Sequence, residues 1–193
     1  NWDHGVDLTN KNVPIIGSGA SAAQIIPAIV DKVKSLHIFQ RSPHWVLPRH
    51  DMQFTSWQRA LLRNKWIYAF LRTVIYWSLE LRVLAFKYSA FLLKHIAGSK
   101  AAKHLKQQVQ QPELRAKLTP DYTIGCKRII LSSTLYPAMS KPHVEVHDKY
   151  DAITQLTVDS VITQKDTKIP IDVLIYSTGY DATDGIISYP VIG

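Results

Sequence analysis

One cysteine, Cys126, stands among the 193 residues, so the chain can form no internal disulfide and a disulfide-stapled secreted scaffold is excluded. A single thiol fits a reducing compartment. Acidic residues are also scarce: 15 Asp and Glu face 23 Lys and Arg, a formal net charge of +8. The imbalance is local, because residues 59–117 hold twelve Lys and Arg against two acids, Glu80 and Glu113. Such a block could face nucleic acid, anionic lipid, a phosphate-bearing ligand or plain solvent, and charge alone does not choose among them. Proline and glycine are missing from 49–97, which predicts a mainly helical stretch. Charges at Arg72, Glu80, Arg82, Lys87 and Lys94 interrupt every 18-residue window across it, so it contains no membrane span. An initiating Met is lacking too. The chain opens at Asn1-Trp2-Asp3 and reaches its first unit almost at once, so it is expected to be part of a longer protein, and missing targeting signals carry no weight. Repeats and low-complexity tracts are absent. A hydrophobic share of 46% with 20% charged residues is ordinary for a globular protein and argues against overall disorder.

What is present begins with Val13-Pro14-Ile15-Ile16, an apolar run, followed by Gly17-Ser18-Gly19-Ala20-Ser21-Ala22. This is a GxGxxA pattern between a predicted strand (12–16) and a predicted helix (20 to about 30). Gly17 permits the tight turn, Gly19 lets a pyrophosphate approach the backbone, and small Ala22 lets the helix pack close to the sheet. The helix N-terminus then offers N–H groups and partial positive charge. Pro14 cannot donate to a central ladder and is expected to disturb the pairing there.

A second strand is predicted at 35–39, completing a βαβ unit. It ends in Gln40-Arg41-Ser42, where an NAD-preferring site would carry Asp or Glu for the ribose hydroxyls. No acid is there. A carboxylate would repel an added 2′-phosphate, whereas the Arg41 guanidinium can hold one through paired hydrogen bonds.

Further along, Ser42 to Arg49 reads as an extended connection bracketed by Pro43 and Pro48. In the helical stretch, Lys65, Arg72, Glu80, Lys87 and Lys94 fall on one narrow stripe at about 100° per residue, and the remaining surface is largely apolar. So wide an apolar face requires a cover: the rest of the protein, a partner or a membrane surface. A basic helix is predicted from 101 to about 109, and 112–120 reads as a connection. A turn-rich segment then carries Lys127 and Arg128, neighbours whose side chains would point to opposite sides of an extended backbone and so serve different anions. Strands are predicted at 144–147, 156–163 and 172–177, with a turn at 166–168. The last strand leads into Thr178-Gly179-Tyr180.

Taken in order, these stretches resemble class B flavoprotein monooxygenases, the group of Baeyer–Villiger and flavin-containing monooxygenases, along nearly the whole chain. Trp2-Asp3 looks like the end of that family's fingerprint, FxGxxxHxxxW followed by Pro or Asp. Gly17 to Ala22 is similar to its second, NADPH-binding motif, and Phe39-Gln40-Arg41-Ser42-Pro43 to the strand end that recognises the 2′-phosphate. Gly125-Cys126-Lys127-Arg128 resembles the Lys-Arg site of the Baeyer–Villiger branch, and Tyr176-Ser177-Thr178-Gly179-Tyr180 the ATG-Phe/Tyr motif, with Ser for Ala. The resemblance implies an α/β fold: a Rossmann-like NADPH-binding domain with a helical insertion, within a two-dinucleotide-domain flavoprotein. Residues 1–10 would be a linker from an FAD domain, 11–49 and 119–178 the NADPH domain, 50–118 the insertion, and 179–193 the return to the FAD domain.

The resemblance also assigns roles. Gly17, Ser18, Gly19, Ala20, Ser21, Ala22, Gln40, Arg41, Ser42, Lys127, Thr178 and Gly179 would bind cofactor, Lys127 holding the NADP 2′-phosphate, and Arg128 would be the catalytic residue, reaching the flavin. The implied chemistry is hydride transfer from NADPH to FAD and O₂ addition to give a C4a-peroxyflavin. That species oxygenates a carbonyl, or nitrogen or sulfur, of a small organic substrate, and a lipophilic substrate is compatible with the wide apolar face. The first GxGxxG of the family is absent from this chain, so the chain alone is not expected to turn over. A cytoplasmic location is implied, with peripheral membrane contact through the insertion as a further expectation, and nucleic acid is not an expected partner.

Two other readings are kept. A pyridine-nucleotide-disulfide reductase-like flavoprotein would need a redox-active cysteine pair, and a non-catalytic dinucleotide-binding or membrane-associating module would need no Arg128. The eight histidines are scattered in sequence, and His143 and His147 lie about 13 Å apart along a predicted strand, so no metal site is expected. Trp45, Trp57, Trp66 and Trp77 read as packing residues, not base-stacking platforms.

Overall fold

The computed structural model describes residues 3, 5–49, 51, 53–88 and 97–179. Its centre is a four-stranded, wholly parallel sheet in the order β5-β2-β1-β9, with β1 at Asn12–Ile16, β2 at Ser35–Phe39, β5 at Val144–His147 and β9 at Ile175–Tyr176. Two flanking units complete it. A short parallel pair joins β3 (Val46–Leu47) to β4 (Ile130–Leu131), and an antiparallel sheet contains β6 (Ile153–Leu156), β7 (Ser160–Thr163) and β8 (Lys168–Pro170). The chain reverses its direction of travel across the central sheet between β1 and β9, the point where doubly wound folds open a crevice at the strands' carboxyl ends.

Alternation along the strands decides which layer covers which face. Val13, Ile15, Leu36, Ile38 and Val146 are buried with Ala22, Ala23, Ile26 and Ile29 of α1 (Ala20–Ile29) and with Leu135, Tyr136 and Met139 of a short helix at Leu135–Met139. On the other face, Phe39 packs with Val161 and Ile169 of the antiparallel sheet. Helices therefore cover one side and strands the other.

Pro14 does not interrupt the sheet: β1 and β2 pair without a break from Asn12↔Ser35 to Ile16↔Phe39. The Gly17 N–H donates to Phe39 of β2, and the Ile16 carbonyl accepts from Ser177 beyond β9, so even-numbered residues of β1 face β9. The ladder with β9 begins only at Ile15↔Ile175. The N–H that Pro14 lacks would point where no strand partner stands.

Other expectations are corrected. Residues 156–163 form not one strand but the end of β6, a turn and β7, because Thr157 N–H donates to the Ser160 carbonyl at 2.9 Å and its hydroxyl to Asp159 at 2.9 Å. The predicted 172–177 strand shortens to Ile175–Tyr176, since the Asp172 and Val173 N–H groups turn back to the Asn12 carbonyl. Residues 112–117 are helical, with Pro112 in the first turn, where its missing N–H costs nothing. The long apolar stretch gives α2 (Ser56–Leu61) and α3 (Lys65–Tyr88), and the basic helix α4 runs Ser99–Gln108. With Pro112–Lys117 as α5 and Leu135–Met139 as α6, the element order is complete for the described residues.

The apolar surface of α2 and α3 stands open: Trp57, Trp66, Phe70 and Trp77 are each more than 60% exposed. Lys94 and Tyr180 to Gly193 lie outside the described residues, as do Asn1, Trp2 and His4. Among the described residues no helix is long and apolar enough to cross a membrane.

Candidate functional site

The site forms where β1, β2 and β9 end. Gly17 leaves β1 at φ +114°, and a Cβ there would lie 2.2 Å from the Ser177 carbonyl oxygen and 2.8 Å from its carbon. Both the conformation and the contact require glycine. Gly19 differs: it is extended at φ −74°, and a Cβ on it would meet no atom within 4 Å. The fold itself does not demand glycine there. What the missing side chain preserves is an open approach to the backbone at the start of α1.

That start is bare. Gly19 is the N-cap of α1, no side chain caps it, and no acid lies in the first turn. Forgoing a Ser or Asp cap costs a few tenths of a kcal/mol. Burying Ile26 and Ile29 offsets this at about 1.5–3 kcal/mol each, so the helix holds while its N–H groups stay available to an anion. Ala22 is 0% exposed and sets the close approach of α1 to the sheet.

At the end of β2, Gln40 is buried, and its side-chain amide donates to the Lys117 carbonyl at 2.9 Å. It ties the strand end to α5 through that one donor. Arg41 is exposed and makes no hydrogen bond or ion pair among the described residues. Ser42 accepts from Lys127 Nζ at 2.6 Å, and its carbonyl accepts from the Ser18 hydroxyl at 3.2 Å. Ser42 thus bridges the glycine loop and a lysine 85 residues away.

Several contacts bring Lys127 there. Trp45 Nε1 donates to the Tyr122 carbonyl at 2.9 Å, and Tyr122 Oη donates to the Pro43 carbonyl at 3.0 Å. Lys127 Nζ rests 4.6 Å from the centre of the Tyr122 ring. Pairing of β3 with β4 continues the seam, with Ile130 N–H donating to Trp45 and Ser132 N–H to Leu47. Arg128 is exposed, and its guanidinium has no ion pair among the described residues. Thr178 and Gly179 follow β9, Gly179 at φ +105° with open space where a Cβ would stand.

No carboxylate occurs in 17–22, 40–44 or 122–128, so the edge is cationic throughout. Two of the three buried side-chain atoms without a hydrogen-bond partner among the described residues, His44 Nδ1 and Ser177 Oγ, belong to this edge. A cleft of about 570 Å³ runs along the outside of α1, between Gln24 and Pro27 on one side and Arg49 and Ser132 on the other. Of the glycine loop it touches Ala20 alone, and from the β3–β4 seam it takes Ile130 and Ser132, so it adjoins the nucleotide edge and is not that edge.

Burial, and then the charge of Lys127, hold the His44 imidazole below its usual 6.5, against a hydrogen bond with the Arg128 backbone. With the folded pKa depressed, the unfolded chain takes up protons first as pH falls below about 6.5, so folding stability is lost as pH drops through that window. Urea unfolding is expected to show a lower midpoint at about pH 5.5 than at about pH 7.5. His44→Gln should shrink that difference, and an unchanged difference would remove His44 as its source.

From sequence, the glycine loop, Arg41, Ser42 and Lys127 were each assignable. The meeting of Ser42 with Lys127, and the parts played by Tyr122 and Trp45, were not, because those contacts connect segments about 80 residues apart.

Comparison with known proteins gives the same architecture. The chain is 40% identical over 193 residues to a Baeyer-Villiger monooxygenase of Streptomyces coelicolor, covering 100% of this chain and 37% of that protein. It is 37% identical over 186 residues to a Baeyer-Villiger monooxygenase of Pseudomonas aeruginosa, covering 96% of this chain and 35% of that protein. The chain thus spans little more than a third of the length of these curated relatives. Among solved structures it resembles OTEMO in complex with FAD and NADP, with TM-score 0.75, 26% identity, and coverage of 95% of this chain and 40% of that one. It also resembles oxidized steroid monooxygenase bound to NADP, with TM-score 0.76, 26% identity, and coverage of 96% and 42%. No protein-family model matches the chain.

Proposed function

Since the chain is homologous along its whole length to a segment of Baeyer–Villiger and FAD-binding monooxygenases, we propose that it is the NADPH-binding portion of an FAD- and NADPH-dependent enzyme inserting one oxygen atom of O₂ into a small organic substrate. The observation that carries the nucleotide assignment is the meeting of Ser42 and Lys127 beside the glycine loop, with exposed Arg41 next to Ser42 at the end of β2. With the pyrophosphate on the N-terminus of α1, an adenosine 2′-phosphate at this strand end would be met by the Ser42 hydroxyl and Lys127 ammonium, which stand together, and by the guanidinium of the adjacent Arg41.

Each residue has a physical task. Gly17 turns the backbone, Gly19 keeps its approach open, and the N–H groups of Ala20, Ser21 and Ala22 face the pyrophosphate. Arg41 grips the 2′-phosphate as a fork, and Lys127, positioned by Ser42 and Tyr122, adds a point charge. Thr178 and Gly179 border the same crevice from β9. The residues present fit NADPH because the edge is cationic, uncapped and open at Gly19. FAD, when bound, would supply the oxygen-activating chemistry. Arg128, a cation at any working pH, would face it and stabilise negative charge developing at the reacting atoms. Residues 11–49 and 119–178 are then the nucleotide domain and 50–118 its insertion, with the exposed face of α2 and α3 covered by other parts of the longer protein.

In the full-length protein, Arg128→Ala is expected to lower the yield of oxygenated product by about 100-fold or more while NADPH affinity stays near wild type. Product analysis with a panel of ketones, amines and thioethers would measure this. Wild-type oxygenation by that variant would overturn the assignment, and a preference for ketones would place the enzyme in the Baeyer–Villiger branch.

A further inference from the structure

The strand pairing that builds the sheet also collects two histidines and a glutamate that are far apart in sequence. On β2 and β5, His37 stands opposite Glu145 and Phe39 opposite His147, so alternation puts all four on one face. His37 Nδ1 lies 3.2 Å from His147 Nε2, and a Glu145 carboxylate oxygen lies 3.6 Å from the first and 3.9 Å from the second. Tetrahedral zinc with bonds of about 2.0–2.1 Å sets its ligand atoms about 3.3 Å apart, so the three atoms already span nearly one face of that tetrahedron.

The surroundings suit a metal ligand. His147 is 1% exposed and stacked on Phe39, with ring centres 4.4 Å apart and planes 12° apart. Its Nδ1 is 2.7 Å from Asp151 Oδ2. A carboxylate only accepts, so the shared hydrogen sits on Nδ1, and Nε2 turns a lone pair towards His37 and Glu145. Carboxylate, histidine and open lone pair in line form the arrangement that orients and strengthens a zinc-binding imidazole. Glu145, 59% exposed, leaves the fourth position open to water. Without metal, the His37 Nδ1–H donates to His147 Nε2. With metal, that hydrogen moves to His37 Nε2 and no net proton need be released.

We propose that His37, His147 and Glu145 form a divalent transition-metal site, suited to zinc, with Asp151 positioning His147. Two nitrogens and one carboxylate are borderline ligands that select zinc-like ions over magnesium or calcium. The ion would clamp β2 to β5 just before Arg41, where the Gln40 N–H already donates to the His147 carbonyl at 2.9 Å. The site stands apart from the nucleotide assignment and would survive its failure.

Cobalt(II) titration of the chelator-stripped chain tests it. One Co²⁺ per chain should bind, with the intense visible bands of tetrahedral cobalt, and Zn²⁺ should displace it. Glu145→Gln, at an exposed position that the fold does not need, and His37→Gln should each weaken Co²⁺ binding by at least about 10-fold, and Asp151→Asn by about 10- to 100-fold. Zinc should raise the urea midpoint of the wild-type chain more than that of Glu145→Gln at the same zinc concentration. Absence of the cobalt bands, or undiminished binding in Glu145→Gln, would overturn the site, the latter placing the metal on other histidines.

Discussion

Arg41→Ala should weaken NADPH binding to the chain roughly 10- to 100-fold and leave NADH binding within about twofold, because a charge-assisted hydrogen bond to a phosphate contributes about 1.5–3 kcal/mol and each 1.4 kcal/mol is tenfold in affinity. The two nucleotides differ only in the phosphate that Arg41 is assigned to hold. Isothermal titration with both, on wild type and variant, reads the effect directly. Lys127→Ala should act in the same direction, with part of its cost arising because Ser42 loses the donor at 2.6 Å. Added salt should erode NADPH affinity more steeply than NADH affinity, since screening acts on the extra charge. Equal losses for both nucleotides would show that Arg41 serves the fold or the pyrophosphate instead.

The two loop glycines should separate folding from binding. Gly17→Ala places a methyl 2.2 Å from the Ser177 carbonyl oxygen at a φ of +114°, and neither strand end can withdraw without breaking the ladder between β1 and β9. Its cost is expected to be about 3 kcal/mol or more, the sum of left-handed strain and overpacking. Gly19→Ala meets nothing within 4 Å and keeps an ordinary φ of −74°, so urea unfolding should move by about 1 kcal/mol or less. Yet its methyl fills the approach to the α1 N-terminus, and NADPH affinity should fall by at least about 10-fold. If Gly19→Ala bound NADPH like wild type, the pyrophosphate could not lie where the loop is argued to hold it. A stable Gly17→Ala would mean the strand ends are looser than the packing indicates.

Local chemistry made part of this legible from residues alone. The run Asn12–Ile16, the glycines after it and the alternation at Ser35–Phe39 signal strand, turn and strand through nearest-neighbour sterics and apolar periodicity, and both strands fall where expected. The helix after Gly19 is equally local. Where backbone competition decided, the reading failed. Thr157 and Asp159 fold what looks like a single apolar strand into a hairpin, and Asn12 captures the N–H groups of 172–173 from the expected last strand.

Residue types alone carry the ingredients of the proposed site: a glycine turn before a helix, a cation in place of an acid at the next strand end, and a Lys-Arg pair downstream. Those follow from side-chain charge and the dihedral freedom of glycine, which residues carry wherever the chain goes. Which of them meet depends on how distant segments pack. Lys127 reaches Ser42 because Trp45 and Tyr122 lock a distant loop onto the connection after β2. His37 reaches His147 because two parallel strands pair in one register, although 110 residues separate them. Register and loop docking are set by the burial of the whole sheet, a sum over contacts that no single stretch of sequence contains.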